Sequence, residues 1–277
     1  MSGAVVARLP GGRLHLQHGP IDLILRLDGA PEAVAAGERA AAARFATILA
    51  ELVAELPALR RPDPGPLAGA VARRMAAAVA PHRPAFVTPM AAVAGAVAEA
   101  VLAAAAAEGV TRGLANNGGD IALHLTPGTA LAVAVAGTAD RIAIRAGDSV
   151  RGIATSGWRG RSWSLGIADA VTVLAATAPA ADAAATLIAN AVDLPGHPGI
   201  TRRPARDMQA DSDLGDIPVT VAVPRLAPHD RAAALARGHA AAAAMQARGL
   251  IVAAALFLQG EALHLGPHAR LTEHANA

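Results

Sequence analysis

The chain contains no cysteine, no tyrosine and no lysine, and its aromatic residues are three phenylalanines and two tryptophans. The lack of cysteine excludes disulfides, iron–sulfur clusters, thiolate nucleophiles and cysteine-type zinc sites. All 24 basic residues are arginine, which excludes a Schiff-base lysine and the lysine of a Walker-type phosphate loop. Because apolar residues are abundant but mostly small, we expect a core of alanine-rich helices packed closely on sheets.

The formal net charge of the chain is +2 at pH 7, so basic and acidic residues are nearly balanced in number. No basic run with interleaved aromatic residues is present, so the sequence predicts no nucleic-acid partner. Two apolar stretches, 89–107 and 240–258, resemble membrane spans in length, but Glu99 interrupts the first, and Gln246 and Arg248 interrupt the second. We therefore predict no membrane segment. The start MSGAVVARLPGGRLHL lacks the cationic and apolar regions of a signal peptide, which predicts a cytoplasmic protein.

Turn and helix signals alternate along the chain without strict strand–helix–strand order. Pro10-Gly11-Gly12 and Gly19-Pro20 separate three short apolar segments, which predicts a meander. Helices are predicted at 31–56, 67–80, 89–107, 179–192 and 228–248. Strands are predicted at 4–9, 13–18, 21–27, 111–115, 120–126, 130–136, 141–146, 149–154, 169–175, 218–223, 250–257 and 261–265. This order favours an α+β fold with mostly antiparallel sheets.

No linker divides the chain clearly, so we predict a single domain over 1–277. It comprises the meander (1–30), a core that carries the motifs (86–192) and a C-terminal αβ segment (218–266). Residues 193–217, rich in proline, arginine and aspartate, are predicted to form a long loop. The alanine-rich helices suggest a homo-oligomer.

The first candidate motif is Asn116-Asn117-Gly118-Gly119-Asp120. Two glycines permit positive φ and the close approach of another group to the backbone, while the flanking side chains offer oxygens. The alternative interpretation is a tight turn between two strands, since such dipeptides are frequent turn formers.

The second motif pairs Asp182 with Thr186. On a helix, residues four apart lie on one face, and a carboxylate with a hydroxyl suits Mg²⁺, which keeps its other positions for water and phosphate. The alternative is an acidic residue in the first helical turn, stabilised by the helix dipole.

The third motif is the stretch 155–164, which contains hydroxyls, glycines, two arginines and both tryptophans. Guanidinium groups could hold a phosphate or carboxylate, and an indole could stack on a flat ring. The alternative is a solvated hairpin whose indoles fold onto the core. The residues singled out here are Thr155, Ser156, Gly157, Arg159, Arg161 and Trp163.

Taken in order, these segments resemble the ApbE-like superfamily, whose characterised members are FAD:protein FMN transferases. The segments that carry the resemblance are ANNGGDI (115–121), ATSG (154–157), ADAVTV (168–173) and AADAAAT (180–186). The preceding helix, 89–107, matches the family's helix before the Gly-Gly turn. The resemblance covers residues 86–192, and the flanks look like the superfamily's shorter, uncharacterised branch.

The resemblance implies a tandem, T-fold-like core that binds a small-molecule cofactor, namely FAD or a related flavin or pterin, together with Mg²⁺. It makes Asp182 and Thr186 the metal ligands and catalytic residues. The cofactor would lie along the 116–120 turn and along 155–157, with Arg159, Arg161 and Trp163 beside it.

The chain departs from the transferases at two places. Their His-Ile-x-Asp-Pro-x-Thr-Gly motif after TSG is absent, and WRGRSW (158–163) stands in its place. Their Lys-Gly pair and following aspartate are replaced by Ala94-Gly95 and Glu99. Two functions are therefore expected. One is a Mg²⁺-dependent transferase or hydrolase of a phosphorylated flavin- or pterin-like compound. The other is a non-catalytic cofactor-binding or assembly protein that has lost FMN transfer.

Overall fold

A computed structural model describes residues 3–134 and 141–267. Helices and antiparallel strands mix along this part of the chain, which confirms the predicted α+β class. Contacts divide the chain into two compact units. Unit 1 comprises Met1–Val133, Ala143–Ala154 and Ala175–Asp182, and unit 2 comprises Ala134–Ile142, Thr155–Leu174 and Ala183–Ala277. The single ApbE-like domain and its T-fold-like core stay predictions.

The strands of unit 1 confirm the predicted meander and extend it. They are β1 (Val5–Leu9), β2 (Arg13–His18), β3 (Ile21–Gly29), β4 (Val110–Asn117) and β5 (Asp120–Leu125). Each pairs antiparallel with the next, and β8 (Gly152–Ser156) pairs antiparallel with β5. Leucines alternate along β2 and β3 and are buried, because successive side chains of a strand point to opposite faces.

The helices of unit 1 are α1 (Pro31–Ala54), α2 (Leu56–Leu59), α3 (Ala70–Val79) and α4 (Val93–Ala105), with 3₁₀ turns at Ala80–His82 and Pro89–Ala92. The predicted helix 89–107 is thus a 3₁₀ turn followed by a shorter α-helix. Helices α1 and α4 pack closely because Gly37 has no side chain, since a Cβ there would lie 2.5 Å from the Ala105 carbonyl oxygen. Helix α5 (Ala178–Ala191) contributes its first turn to unit 1.

In unit 2, β12 (Ala253–Leu258) pairs antiparallel with both β9 (Ala170–Ala175) and β13 (Glu261–Leu265). Helix α7 (Pro228–Ala247) packs on these strands. Gly238 permits that approach, because a Cβ there would lie 2.8 Å from a Leu256 methyl carbon of β12. Strands β6 (Ala130–Ala134) and β7 (Arg141–Arg145), whose residues are divided between the two units, form a separate two-stranded sheet.

The predicted loop at 193–217 is wrong in part. It contains strand β10 (Thr201–Pro204), which pairs antiparallel with β11 (Pro218–Ala222), and the single-turn helix α6 (Ala205–Met208). A four-residue strand that ends on proline gives little local signal, because its ladder depends on a partner met only in the folded chain.

None of the helices in 3–134 and 141–267 is long and apolar enough to cross a membrane. The predicted cytoplasmic location and the homo-oligomer stay predictions.

Candidate functional site

The glycine turn at 116–120 connects β4 to β5. Gly118 and Gly119 both have positive φ, at 69° and 113°, and Asn117 pairs with Asp120 across the turn. The Asn116 side-chain oxygen accepts a hydrogen bond from the Gly119 backbone N–H at 2.8 Å. A Cβ on Gly119 would meet no heavy atom within 4 Å. The segment is therefore a strand-to-strand turn whose Gly119 faces open space.

Asn117 ties this turn to the first turn of α4. The residue is buried, and its side-chain amide donates a hydrogen bond to the Ala94 carbonyl oxygen at 3.2 Å. This bond satisfies a polar group that would be costly to bury alone. It also fixes the glycine turn beside Ala94-Gly95.

Asp182, on α5, reaches the same turn of α4. Its Oδ2 accepts a hydrogen bond from the Gly95 backbone N–H at 2.9 Å. Although Asp182 as a residue is partly exposed, burial of its carboxyl group raises its pKa well above the usual value, and the charge of Asp120 raises it further. The backbone N–H groups of Gly95 and Ala94 oppose this rise. Within unit 1 the charge of Asp120 thus acts on Asp182, although the two residues lie far apart in the sequence.

Two glycines make this arrangement sterically possible. A Cβ on Gly95 would lie 2.4 Å from the Ala178 carbonyl oxygen. A Cβ on Gly152, in β8, would lie 2.1 Å from the Thr177 carbonyl oxygen. The backbone at the start of α5 therefore packs directly on α4 and β8. Gly152 was not among the predicted site residues, since no local pattern marks a glycine that makes room for a distant backbone.

Thr186 lies one helical turn beyond Asp182 on α5 and is partly exposed. Residues four apart on a helix share a face. Its role as a metal ligand stays a prediction.

The ATSG segment ends β8 and enters unit 2. There the Thr155 hydroxyl lies 2.9 Å from the Thr172 hydroxyl. Gly157 is buried and packs against the backbone of 168–169. A side chain does not fit there, since a Cβ would lie 2.4 Å from the Asp169 carbonyl oxygen. Ser156 is partly exposed. Within unit 2, Thr155 and Gly157 thus have packing and hydrogen-bonding partners, and the ligand roles of 155–157 stay predictions.

Asp169, of the ADAVTV segment, holds the start of the WRGRSW segment. Its carboxylate accepts a hydrogen bond from the Trp158 indole N–H at 3.3 Å and forms an ion pair with the Arg159 guanidinium at 3.3 Å. It also accepts one from the Gln259 backbone N–H. The Arg159 guanidinium lies 4.8 Å from the Trp158 ring centroid, within cation–π range. Sequence reasoning missed this role of Asp169, because an aspartate just before a strand gives no sign of what it will accept.

The rest of the segment differs in exposure. Arg161 is exposed and Trp163 is partly exposed. Ser164 is buried, and its hydroxyl donates a hydrogen bond to the Asn190 side-chain oxygen at 3.1 Å. The segment therefore combines an anchored Trp158 with an exposed arginine, and ligand binding by Arg159, Arg161 and Trp163 stays a prediction.

Replacing Asp169 with alanine is expected to destabilise the protein by about 1–3 kcal/mol, because three donors lose a charged acceptor. Urea unfolding followed by tryptophan fluorescence measures this loss. The control is Arg161→Ala, which changes an exposed side chain and is expected to stay within about 0.5 kcal/mol of wild type. Equal stability of the two variants would mean that the Asp169 contacts contribute nothing.

Among residues 3–134 and 141–267, no three histidine or acidic side chains gather in a group that could hold a metal. The chemistry of the two carboxylates still fits Mg²⁺, which proteins often bind through one or two carboxylates while water and phosphate supply the remaining ligands. It does not fit a structural zinc site, which needs four protein ligands.

The chain matches a family model over most of its length and curated proteins over about half of it. A family model described as "AbpE bacteria" matches residues 6–264. A UPF0280 protein of Methanosphaerula palustris is 40% identical over 146 residues, which is 50% of this chain and 57% of that protein. A UPF0280 protein of Methanopyrus kandleri is 41% identical over 124 residues, which is 43% of this chain and 48% of that protein. The chain spans about half the length of the curated relatives it matches.

Proposed function

The chain belongs to the AbpE bacteria family, and from this premise we propose that Asp120 and Asp182 form a Mg²⁺ site that also receives a phosphorylated flavin- or pterin-like compound. The site would support transfer or hydrolysis at the phosphate. The link to FAD:protein FMN transferases rests on the motif resemblance. One observation carries the proposal, namely that the Asp182 carboxyl is held at the first turn of α4 while the Asp120 charge acts on it.

The negative charges of Asp120 and Asp182 favour a bound cation beside them. Two carboxylates near each other in a dehydrated site repel, and one of them then keeps its proton. A bound Mg²⁺ would replace that proton, and it would supply a positive charge for phosphate oxygens. Asp120 and Asp182 would hold the ion.

The glycine turn supports the phosphorylated ligand. Gly119 faces open space, so a ligand can approach the backbone there without meeting a side chain. Asn116 and Asn117 hold the turn in one shape through their bonds to Gly119 and Ala94. In a transfer or hydrolysis reaction an oxygen bonds to phosphorus while a P–O bond breaks, and the turn would hold the phosphate in place for that exchange.

Metal titration tests the proposal. Isothermal titration calorimetry with MgCl₂, and Mn²⁺ titration followed by electron paramagnetic resonance, are run with and without FAD, FMN and a reduced pterin. We expect wild type to bind one ion per chain and Asp120→Asn to bind it at least about 10-fold more weakly. The control is Asp63→Asn, since Asp63 lies between α2 and α3 and its side chain is 85% exposed. Equal binding by Asp120→Asn and wild type would contradict the site.

A non-catalytic cofactor-binding role is the second candidate. The Asp169 contacts favour it, because Trp158 and Arg159, which replace the transferases' missing motif, already hold partners within the chain. This role predicts binding of a flavin or pterin without release of phosphate or FMN. Product analysis after prolonged incubation with Mg²⁺ separates the two candidates, because only the enzyme releases a cleaved product.

A further inference from the structure

We propose that Glu99, held by Arg74, is a positioning residue that fixes the start of α5 on α4 and thereby places Asp182 beside Asp120. The inference rests on the proposed function, because it explains how that site is held in shape. Glu99 lies on α4, four residues after Gly95.

The two oxygens of Glu99 serve different elements. Oε1 lies 3.2 Å from the Arg74 Nε, on α3. Oε2 accepts a hydrogen bond from the Ala178 backbone N–H at 3.3 Å. Ala178 is the first residue of α5, and the first N–H groups of a helix have no partner within the helix. Glu99 therefore supplies an acceptor for one of them and brings a negative charge to the positive end of the helix dipole.

The Glu99–Ala178 contact and the Gly95–Asp182 contact lie on the same face of α4. Gly95 and Glu99 are four residues apart, so they share one face of the helix. Gly95 donates its N–H to Asp182, and Glu99 accepts the N–H of Ala178. Asp182 lies four residues after Ala178, about 6 Å along the helix axis. Helix α5 thus contacts the same face of α4 at two points, which fixes both its position along α4 and its rotation.

Arg74 sets the direction of the Glu99 carboxylate. Glu99 is 28% exposed and Arg74 is 38% exposed, so this ion pair adds little stability by itself. The ion pair acts on geometry instead, because Arg74 contacts one oxygen of the Glu99 carboxylate and leaves the other oxygen free to accept the Ala178 N–H. At the start of α5 itself, the Thr177 hydroxyl accepts the Ala180 N–H at 3.3 Å, so the first turn has a local cap as well.

The test uses Glu99→Ala and Glu99→Gln on the full chain, with Mn²⁺ as the probe. A glutamine keeps an oxygen that can accept the Ala178 N–H, while alanine removes it. We expect Glu99→Ala to bind Mn²⁺ about 10-fold more weakly and to bind with a different pH dependence, since Asp182 loses its fixed place. Glu99→Gln is expected to stay within about threefold of wild type. The matched control is Glu108→Ala, an exposed acidic residue just beyond α4.

The outcomes separate the two proposals. Absence of Mn²⁺ binding by wild type overturns the proposed function and the positioning role with it. Binding by wild type together with unchanged affinity and pH dependence in Glu99→Ala overturns the positioning role alone. A loss in Glu99→Ala with recovery in Glu99→Gln supports it. If Glu99→Ala fails to fold, Arg74→Ala takes its place, and the same change in pH dependence is expected at smaller size.

Discussion

The Asp182→Asn variant is expected to bind Mg²⁺ at least about 100-fold more weakly than wild type, because even the loss of an outer partner of a metal ligand costs about 10–100-fold. The same variant is expected to be more stable than wild type in metal-free buffer at pH 8. Asparagine keeps an oxygen for the Gly95 N–H but carries no charge next to Asp120. Opposite changes in metal affinity and stability would distinguish a functional carboxylate from a structural one.

The pH dependence follows from the direction of the pKa change. Burial and the Asp120 charge raise the pKa of Asp182 in the folded protein above its value in the unfolded chain. The folded state therefore holds this proton more tightly. The resulting stability is fully present below the unfolded pKa and is lost as pH rises through the folded pKa. In Asp182→Asn this loss is absent, so the stability difference between variant and wild type grows with pH.

Thermal unfolding between pH 4 and pH 9, with and without Mg²⁺ at about 100 times the Kd of wild type, measures both effects. In metal-free buffer at pH 8 the variant is expected to gain about 1 kcal/mol, or roughly 2–4 °C in Tm. Mg²⁺ is expected to stabilise wild type and leave the variant unchanged. Asp63→Asn again serves as the control. Equal stabilisation of wild type and Asp182→Asn by Mg²⁺ would place the ion elsewhere.

The Gly152→Ala variant is expected to lose about 3 kcal/mol of stability. Its Cβ would lie 2.1 Å from the Thr177 carbonyl oxygen and 2.3 Å from the Ala178 backbone nitrogen. These are backbone atoms, so they cannot turn away as a flexible side chain would. Overpacking in a close-packed interior commonly costs about 1–3 kcal/mol, and this contact lies at the severe end of that range. The start of α5 would have to move away from β8.

Chemical denaturation measures that loss, and Gly147→Ala is the matched control. A Cβ on Gly147 would meet no heavy atom within 4 Å, and its φ is not in the left-handed region. We expect the control to be neutral or slightly stabilising, because alanine restricts the unfolded chain. If both variants unfold at the same denaturant concentration, the close approach of α5 to β8 is wrong.

Much of the fold could be predicted because its signals are local. The turns Pro10-Gly11-Gly12 and Gly19-Pro20 separate the three strands of the meander, and Pro31 and Pro228 are the first residues of α1 and α7. The strand β10 could not be predicted in the same way. Its four residues carry no apolar alternation, and their ladder forms with β11, which lies beyond α6 in the chain.

The candidate site, like the fold, could be predicted where its signals are local and not where it depends on distant contacts. The glycine turn and the position of Asp182 could be predicted from their motifs. The proximity of Asp182 to Asp120 depends on how α5 packs on α4, which Gly95 and Gly152 permit. The role of Asp169 as acceptor for Trp158, Arg159 and Gln259 could not be predicted, since the three donors come together only after unit 2 folds.

Gly95 contributes both a hydrogen bond and close packing, and a substitution would change both. Its N–H is a donor to Asp182, and its α-carbon lies against the Ala178 carbonyl. Any side chain at position 95 would disturb the helical junction and the carboxylate at the same time. Gly119 is limited by its backbone instead, because its φ of 113° lies in a region that L side chains rarely adopt, although a Cβ there would meet no heavy atom within 4 Å. Protein engineers who wish to change ligand preference would therefore keep both glycines unaltered.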